Sequence, residues 1–297
     1  MKGLVTELQA DQSGVQSFDA LTSISSGQVF LWEKIGDAWY GINGGRILKI
    51  SAQDQLPEFS AHPEFGTWTC DFFRLDDEIE KVFSALSRDP LVASLLAKYP
   101  GLRLLRQDPE QCLFSFICAS NTNIQMIRRM LYNLTRKFGA RLECYGHEFF
   151  TFPSASTLNR APMAELQSCG LGYRARSVKA AAQKITDGTL DLYELRRMGY
   201  EEAKDSLLQV YGIGNKIADC ILLFSLDKLD AFPIDVWIAR ALAKHYCSLI
   251  DSKIGEKLTA HQYRVISAKM RDHFEKYAGY AQQYLYFDIR QNAGKSW

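Results

Sequence analysis

The residues with the most chemistry in them lie between Leu207 and Trp237. Gly212-Ile213-Gly214 interrupts two apolar runs, Leu207 to Val210 before it and Ile217-Ala218 after it, so it reads as a tight hairpin between two short helices. Backbone N–H groups at the start of the second helix then point outward, and such a turn binds a phosphate without a charged side chain. Lys216 follows in the first turn of that helix, where the helix dipole disfavours a positive charge and favours the neutral amine. A neutral amine beside a bound phosphate backbone is a nucleophile for a sugar C1′ and forms a Schiff base. Asp235 stands between Pro233 and the helical pattern VWIARALAKHY, an N-cap by position. A capping carboxylate stays rigid and ionised and can also stabilise charge developing on a sugar. Each residue has a plainer reading: the glycines a simple turn, the lysine a surface charge, the aspartate a cap alone.

Something must position these groups. The chain has 297 residues, enough for one large domain or two ordinary ones, with 47% hydrophobic and 23% charged residues. Its net charge of +1 offers no broad basic field, so any nucleic-acid contact must be built locally. The seven cysteines are scattered, with no CxxC pair for zinc and no four-cysteine run for an iron–sulfur cluster. They read as reduced thiols of an intracellular protein, mostly buried. The start, MKGLVTELQA, has no apolar core of signal-peptide length, and no apolar run approaches the ~18 residues of a membrane span.

The fold class read from these patterns is α+β. Residues 1–75 predict an N-terminal antiparallel β domain. Its strands are Val29–Trp32, Ala38–Ile42 and Arg46–Ile50, separated by Gly36-Asp37 and Asn43-Gly44-Gly45. Leu56–Phe65 reads as a proline-bearing loop and Gly66–Phe73 as one more strand. From Asp76 onward the pattern is helical throughout, giving an α-helical body over 76–297 with the helix–hairpin–helix at about 203–226. Asp89-Pro90 and Asp108-Pro109 each pair a capping aspartate with a helix-starting proline, and Ile124 to Phe138 recur at helical spacing.

At VYGIGNKIADC and FPIDVW the sequence resembles the helix–hairpin–helix, Gly/Pro-rich loop and aspartate of a DNA glycosylase superfamily, HhH-GPD, and within it 8-oxoguanine DNA glycosylases. Ser26–Trp32, Asp71–Leu75, Gly101–Ile124, Cys169–Arg176 and Ala278–Gln291 carry the same resemblance in the same order along nearly the whole chain. It implies excision of 8-oxoguanine followed by strand cleavage at the abasic site. Lys216 is then the nucleophile and Asp235 the catalytic carboxylate. The Gly27 backbone reads the protonated N7 of the oxidised base, Cys220 and Tyr286 sandwich it, and Gln282 reads its Watson–Crick edge. Asn121 fills the gap left in the duplex, Tyr173 is a wedge, Arg174 addresses the orphaned cytosine, and Gly212 and Gly214 hold the backbone. Tyr173 as a core aromatic and Gln282 as a helix-surface amide are the plainer alternatives.

Three positions depart from the family. Tyr286 replaces a usual phenylalanine. Met126 falls where cytosine-selective members resemble one another in carrying arginine, so opposite-base selectivity is expected to be relaxed. Trp237 stands where many relatives have a phosphate-contacting histidine. The implied partner is double-stranded DNA containing an oxidised purine, bound by a monomer away from membranes. No cofactor is required, and a monovalent cation at the hairpin is allowed. Two rivals remain: a glycosylase of the same fold for another damaged base, against which the lysine argues, and a non-catalytic helix–hairpin–helix DNA-binding module.

Overall fold

The computed structural model describes residues 18–53, 56–63, 67–250, 255 and 257–294. Two-residue turns at Gly36-Asp37 and Gly44-Gly45 join β1 (Trp32–Ile35), β2 (Ala38–Asn43) and β3 (Arg46–Gln53), and β4 (Leu56–His62) completes an antiparallel sheet in the order β1-β2-β3-β4. Its register pairs Trp32 with Gly41, Ala38 with Ser51 and Ile47 with His62.

Four local expectations are corrected. Leu56–Phe65 is not a loop: through His62 it is the edge strand β4, the position in a sheet where the missing N–H of Pro57 is tolerated. The end of that stretch, Glu64 and Phe65, lies outside the described residues, as does Gly66. Residues 67–72 form helix, not strand, because Trp68 and Phe72 recur at helical spacing. Phe72 and Phe73 bury against Trp32, Phe18 and Phe59, with ring centroids 5.1–6.1 Å apart. Val29–Leu31 stay outside the ladder, which begins at Trp32. Glutamine side chains hold this strap instead: Gln283 Nε2 donates to Ser26 O and Gln107 Nε2 to Gln28 O, both at 2.8 Å. The region after Asp76 is also not helical throughout. A hairpin, β5 (Arg141–Cys144) and β6 (His147–Phe150), turns at Tyr145-Gly146 and covers one face of the sheet, where Phe149 meets Tyr40 at 5.3 Å.

The helices run in chain order as α1 (Ala20–Ile24), α2 (Thr67–Phe72), α3 (Ile79–Leu86), α4 (Pro90–Lys98), α5 (Pro109–Cys118), α6 (Ile124–Phe138), α7 (Ala155–Arg160) and α8 (Met163–Leu166). They continue as α9 (Arg174–Thr186), α10 (Leu192–Arg197), α11 (Tyr200–Leu208), α12 (Asn215–Ser225), α13 (Val236–His245), α14 (Cys247–Ile250), α15 (Ala260–Phe274) and α16 (Ala278–Asn292). The expected caps form: Asp89 accepts from Val92 N and Asp108 from Gln111 N, each at 2.9 Å. The centre of the body is α5 against α12. Gln111 to Cys118 are all buried, as are Ile217 to Ser225, and Phe116 stacks on Phe224 at 5.5 Å. α5 also carries the sheet, since Gln111 accepts from Gly44 N and donates to Ile42 O. Of the seven cysteines, all free, four are buried. Among the described residues no helix is long and apolar enough to cross a membrane.

Candidate active site

α11 and α12 form the expected helix–hairpin–helix, and its two glycines differ in kind. Gly212 has φ +86°, and a β-carbon there would lie 2.0 Å from Ser177 Oγ of α9. Glycine is required there both by the backbone and by the close approach of α9. Gly214 has φ −101°, is exposed, and has nothing within 4 Å of where a β-carbon would stand. It is the N-cap of α12 with no side-chain capping bond, so the first N–H groups of α12 open onto the surface.

Lys216, half-buried in that first turn, places its Nζ 5.5 Å from the Phe116 ring centroid. Burial pushes the Cys220 thiol one turn on up to about 12 and outweighs the lowering effect of the Lys216 charge, so the thiol stays protonated. Asp235 caps α13 as expected, its Oδ1 accepting from Trp237 N and Ile238 N, both at 2.9 Å. Its carboxyl keeps some exposed surface but has protein on nearly every side. Burial raises its pKa, and the opposing charge of Lys216, the two helix N–H groups and Arg290 do not cancel that effect. The cap holds the carboxyl in place as expected, but burial outweighs the cap in setting its pKa, which lies above the ordinary carboxylate value.

The loop that delivers Asp235 is fixed at three successive residues. Gln282 Nε2 donates to Pro233 O at 3.0 Å, Ile234 N donates to Tyr263 OH at 3.1 Å, and Asp235 is held by the helix end. Gln282 is 5% exposed, which removes the reading of it as a surface amide, and its buried Oε1 has no partner among the described residues. Tyr286 lies one turn beyond Gln282 on α16. Burial, then the negative Asp235, push its hydroxyl up, and Arg290 donates to it at 3.5 Å. Gly27, at φ +93°, is suspended between the two clamped carbonyls of Ser26 and Gln28, and the Ser26 clamp is Gln283, the neighbour of Gln282. Lys216, Asp235, Cys220, Gln282 and Tyr286 are thus brought together, with the Gly27 strap held by the same helix.

Asn121, Tyr173 and Arg174 form a second, exposed group. Asn121 has φ +47°, Arg174 Nε donates to Ser120 O at 3.0 Å, and Arg174 Nη2 donates to Asn121 O at 3.3 Å. Tyr173 is 60% exposed, which excludes a core role, and the Arg174 guanidinium lies 4.6 Å from its ring centroid. Met126 is also exposed. Trp237 is flanked by Arg240 at 5.0 Å and Arg290 at 5.6 Å. Sequence reasoning missed Ser177, Gln283, Arg290 and Tyr263. Arg290 is four residues from Tyr286 on one helix face, a spacing that could have found it; the others carry no signal before the fold is known.

The arrangement is that of a base-excision enzyme: an open helix N-terminus, an amine and a largely desolvated carboxylate. The chain belongs to the HhH-GPD superfamily of base excision DNA repair proteins, whose profile matches residues 114–266. Residues 12–113 match the N-terminal domain of 8-oxoguanine DNA glycosylases. The chain is 32% identical to an N-glycosylase/DNA lyase of Arabidopsis thaliana over 275 residues, covering 88% of this chain and 74% of that protein. It is 30% identical to an N-glycosylase/DNA lyase of Saccharomyces cerevisiae over 306 residues, covering 89% and 81%. The 8-oxoguanine glycosylase/lyase of Clostridium acetobutylicum, solved with double-stranded DNA containing cytosine opposite 8-oxoG, superposes with a TM-score of 0.83 at 28% identity over 94% of each chain.

Proposed function

We propose that this protein is a bifunctional DNA glycosylase that flips 8-oxoguanine out of duplex DNA, excises it and cleaves the abasic strand by β-elimination. The observation that carries the reading is the convergence of Lys216 and Asp235 from the starts of two different helices, α12 and α13, within reach of each other's charge. The Lys216 amine attacks C1′ with its lone pair, the N-glycosidic bond breaks, and that bond's electron pair leaves with the base, which takes up the proton the amine gives up. The sugar ring opens to a Schiff base on Lys216. Loss of a C2′ proton then expels the 3′ phosphate, and hydrolysis of the Schiff base frees the lysine. Asp235 stabilises the positive charge on the sugar as the base departs.

Base flipping is required because C1′ and the base edge are out of reach inside the stack. The open Oε1 of Gln282 supports its assignment to the base edge: a buried acceptor without a partner costs ~1–3 kcal/mol, relieved by an N–H of the base. Gly27 addresses N7–H, Cys220 and Tyr286 face the two sides of the base, and Asn121, Tyr173 and Arg174 occupy the gap in the duplex. Gly212 and Gly214 shape the phosphate turn. The reading allows a monovalent cation at the hairpin carbonyls, and no step above depends on it. We take the working unit to be a monomer.

Borohydride trapping on an 8-oxoguanine duplex tests the assignment. The wild type is expected to give a covalent protein–DNA adduct and Lys216→Gln none. An adduct of undiminished yield in Lys216→Gln refutes the role of Lys216.

A further inference from the structure

Asp219 is fully buried on α12, one turn after Lys216 and beside Cys220, and the reaction above gives it no part. Its carboxylate accepts from Tyr200 OH at 2.7 Å, Lys204 Nζ at 3.0 Å and Tyr263 OH at 2.7 Å. Tyr200 and Lys204 come from α11, the other helix of the hairpin, and Lys204 also donates to Tyr200 OH at 2.8 Å. The Arg271 guanidinium lies 3.4 Å from the Tyr200 ring centroid. A buried ion pair contributes little net stability compared with apolar packing of the same volume, so stability alone is a weak account of this one. The geometry supplies another. The Tyr263 hydroxyl that donates to Asp219 is the same one that accepts from Ile234 N, and Ile234 is followed by Asp235.

We propose that Tyr263 is a positioning residue for the reaction: it ties the Asp219 carboxylate on the Lys216 helix to the Ile234 backbone and so sets Asp235 relative to Lys216. The covalent route between the two groups runs through the rest of α12 and the loop at 226–235. The noncovalent route is two hydrogen bonds, one of them charge-assisted. Tyr263 is 6% exposed, and both bonds of its hydroxyl are internal. Its effect falls on the rate of the chemical step, because a small misplacement of a reacting group costs rate without costing binding. The inference rests on the glycosylase reading.

Two matched variants test it. Tyr263→Phe and Tyr200→Phe each delete one oxygen that donates to Asp219 at the same distance, but only the first also leaves Ile234 N without its acceptor. Single-turnover excision, affinity for a duplex carrying an abasic-site analogue, and Tm are measured for both. Tyr263→Phe is expected to slow excision about tenfold or more with affinity within about twofold of wild type. Tyr200→Phe is expected to lower Tm comparably while excision stays within about twofold. Equal slowing in the two variants, or a loss in Tyr263→Phe that appears as weaker DNA binding, overturns the proposal. Hydrogen exchange on the unmodified protein needs no variant to fold: the Ile234 amide is expected to be protected, and exchange at the rate of an open amide also overturns it. If the wild type fails to excise 8-oxoguanine, the glycosylase reading falls, while the exchange result still decides whether the tether exists.

Discussion

Replacing the two hairpin glycines one at a time separates holding the fold from holding DNA. Gly212→Ala forces a side chain onto φ +86° and sets its β-carbon 2.0 Å from Ser177 Oγ and 2.6 Å from Ser177 Cβ. The left-handed backbone costs ~1–2 kcal/mol, and displacing a buried neighbour adds ~1–3 kcal/mol, for a total of about 2–5 kcal/mol. For a chain of this size that corresponds to a Tm fall on the order of 3–8 °C. At Gly214 neither term exists. Alanine is a poorer N-cap than glycine by several tenths of a kcal/mol, but it also restricts the unfolded chain by ~0.4–1 kcal/mol, so Gly214→Ala is expected to leave Tm nearly unchanged. Its methyl would instead stand over the open N–H groups of α12 and block a phosphate. Loss of one hydrogen bond to a charged group, ~1.5–3 kcal/mol, weakens duplex affinity about 10- to 100-fold. Thermal melts and fluorescence titration with an abasic-analogue duplex read the two effects. Gly214→Ala with wild-type affinity, or with a Tm loss equal to that of Gly212→Ala, refutes the division of roles.

Other outcomes follow from the same geometry. Burial raises the folded-state pKa of Asp235 above its unfolded value, so ionising it costs stability above the folded pKa, a cost that disappears as pH falls through that pKa. Excision should therefore lose its acid limb at a higher pH than an ordinary carboxylate allows, and a limb at or below the ordinary range in a pH–rate profile contradicts this. Asp235→Asn keeps the capping geometry and removes the buried charge; excision is expected to be lost while Tm at neutral pH is unchanged or higher, the gain shrinking on acidification. A clear Tm loss in Asp235→Asn defeats that account. Met126, exposed at the start of α6, has no donor for an orphaned cytosine and leaves Arg174 alone to select it, so the preference for C over A, G and T should be weak in the wild type. Met126→Arg should then raise preference for cytosine by about 5- to 100-fold, the discrimination of one good contact, and a strong cytosine preference in the wild type would refute this.

Residues whose role is local were legible in the sequence. The caps at Asp89, Asp108 and Asp235 and the hairpin at Gly212 follow from short-range chemistry that holds in any fold. Elements decided by tertiary contact were not. β4 forms despite Pro57 because it needs a partner on only one side, and α2 reads as strand by its aromatic content until Trp68 and Phe72 are seen to share a helical face. The β5–β6 hairpin was hidden by the helices around it, although Tyr145-Gly146 marks its turn. Resemblance supplied the positions of Gly27, Gln282 and Tyr286; it could not supply their supports, since Gln283 and Tyr263 act by hydrogen bonds to backbone atoms far away in sequence.

Those supports explain how a site with its proposed nucleophile in the middle of the chain can include proposed base-reading residues from both ends. Gln282 and Gln283 are neighbours on α16, and each grips one backbone carbonyl: Gln282 that of Pro233, in the loop delivering Asp235, and Gln283 that of Ser26, in the strap carrying Gly27. The carboxylate assigned to the sugar and the backbone assigned to reading the base are therefore measured from adjacent residues of one helix. The hairpin is referenced differently, through Ser177 of α9, whose first residues are also those at the exposed Tyr173-Arg174 patch. The groups proposed for base reading and charge stabilisation thus share α16 as their support, and those proposed for backbone gripping and duplex opening share α9. The Asp219–Tyr263–Ile234 path links these two halves, because its two hydrogen bonds run from the hairpin helix to the backbone next to Asp235.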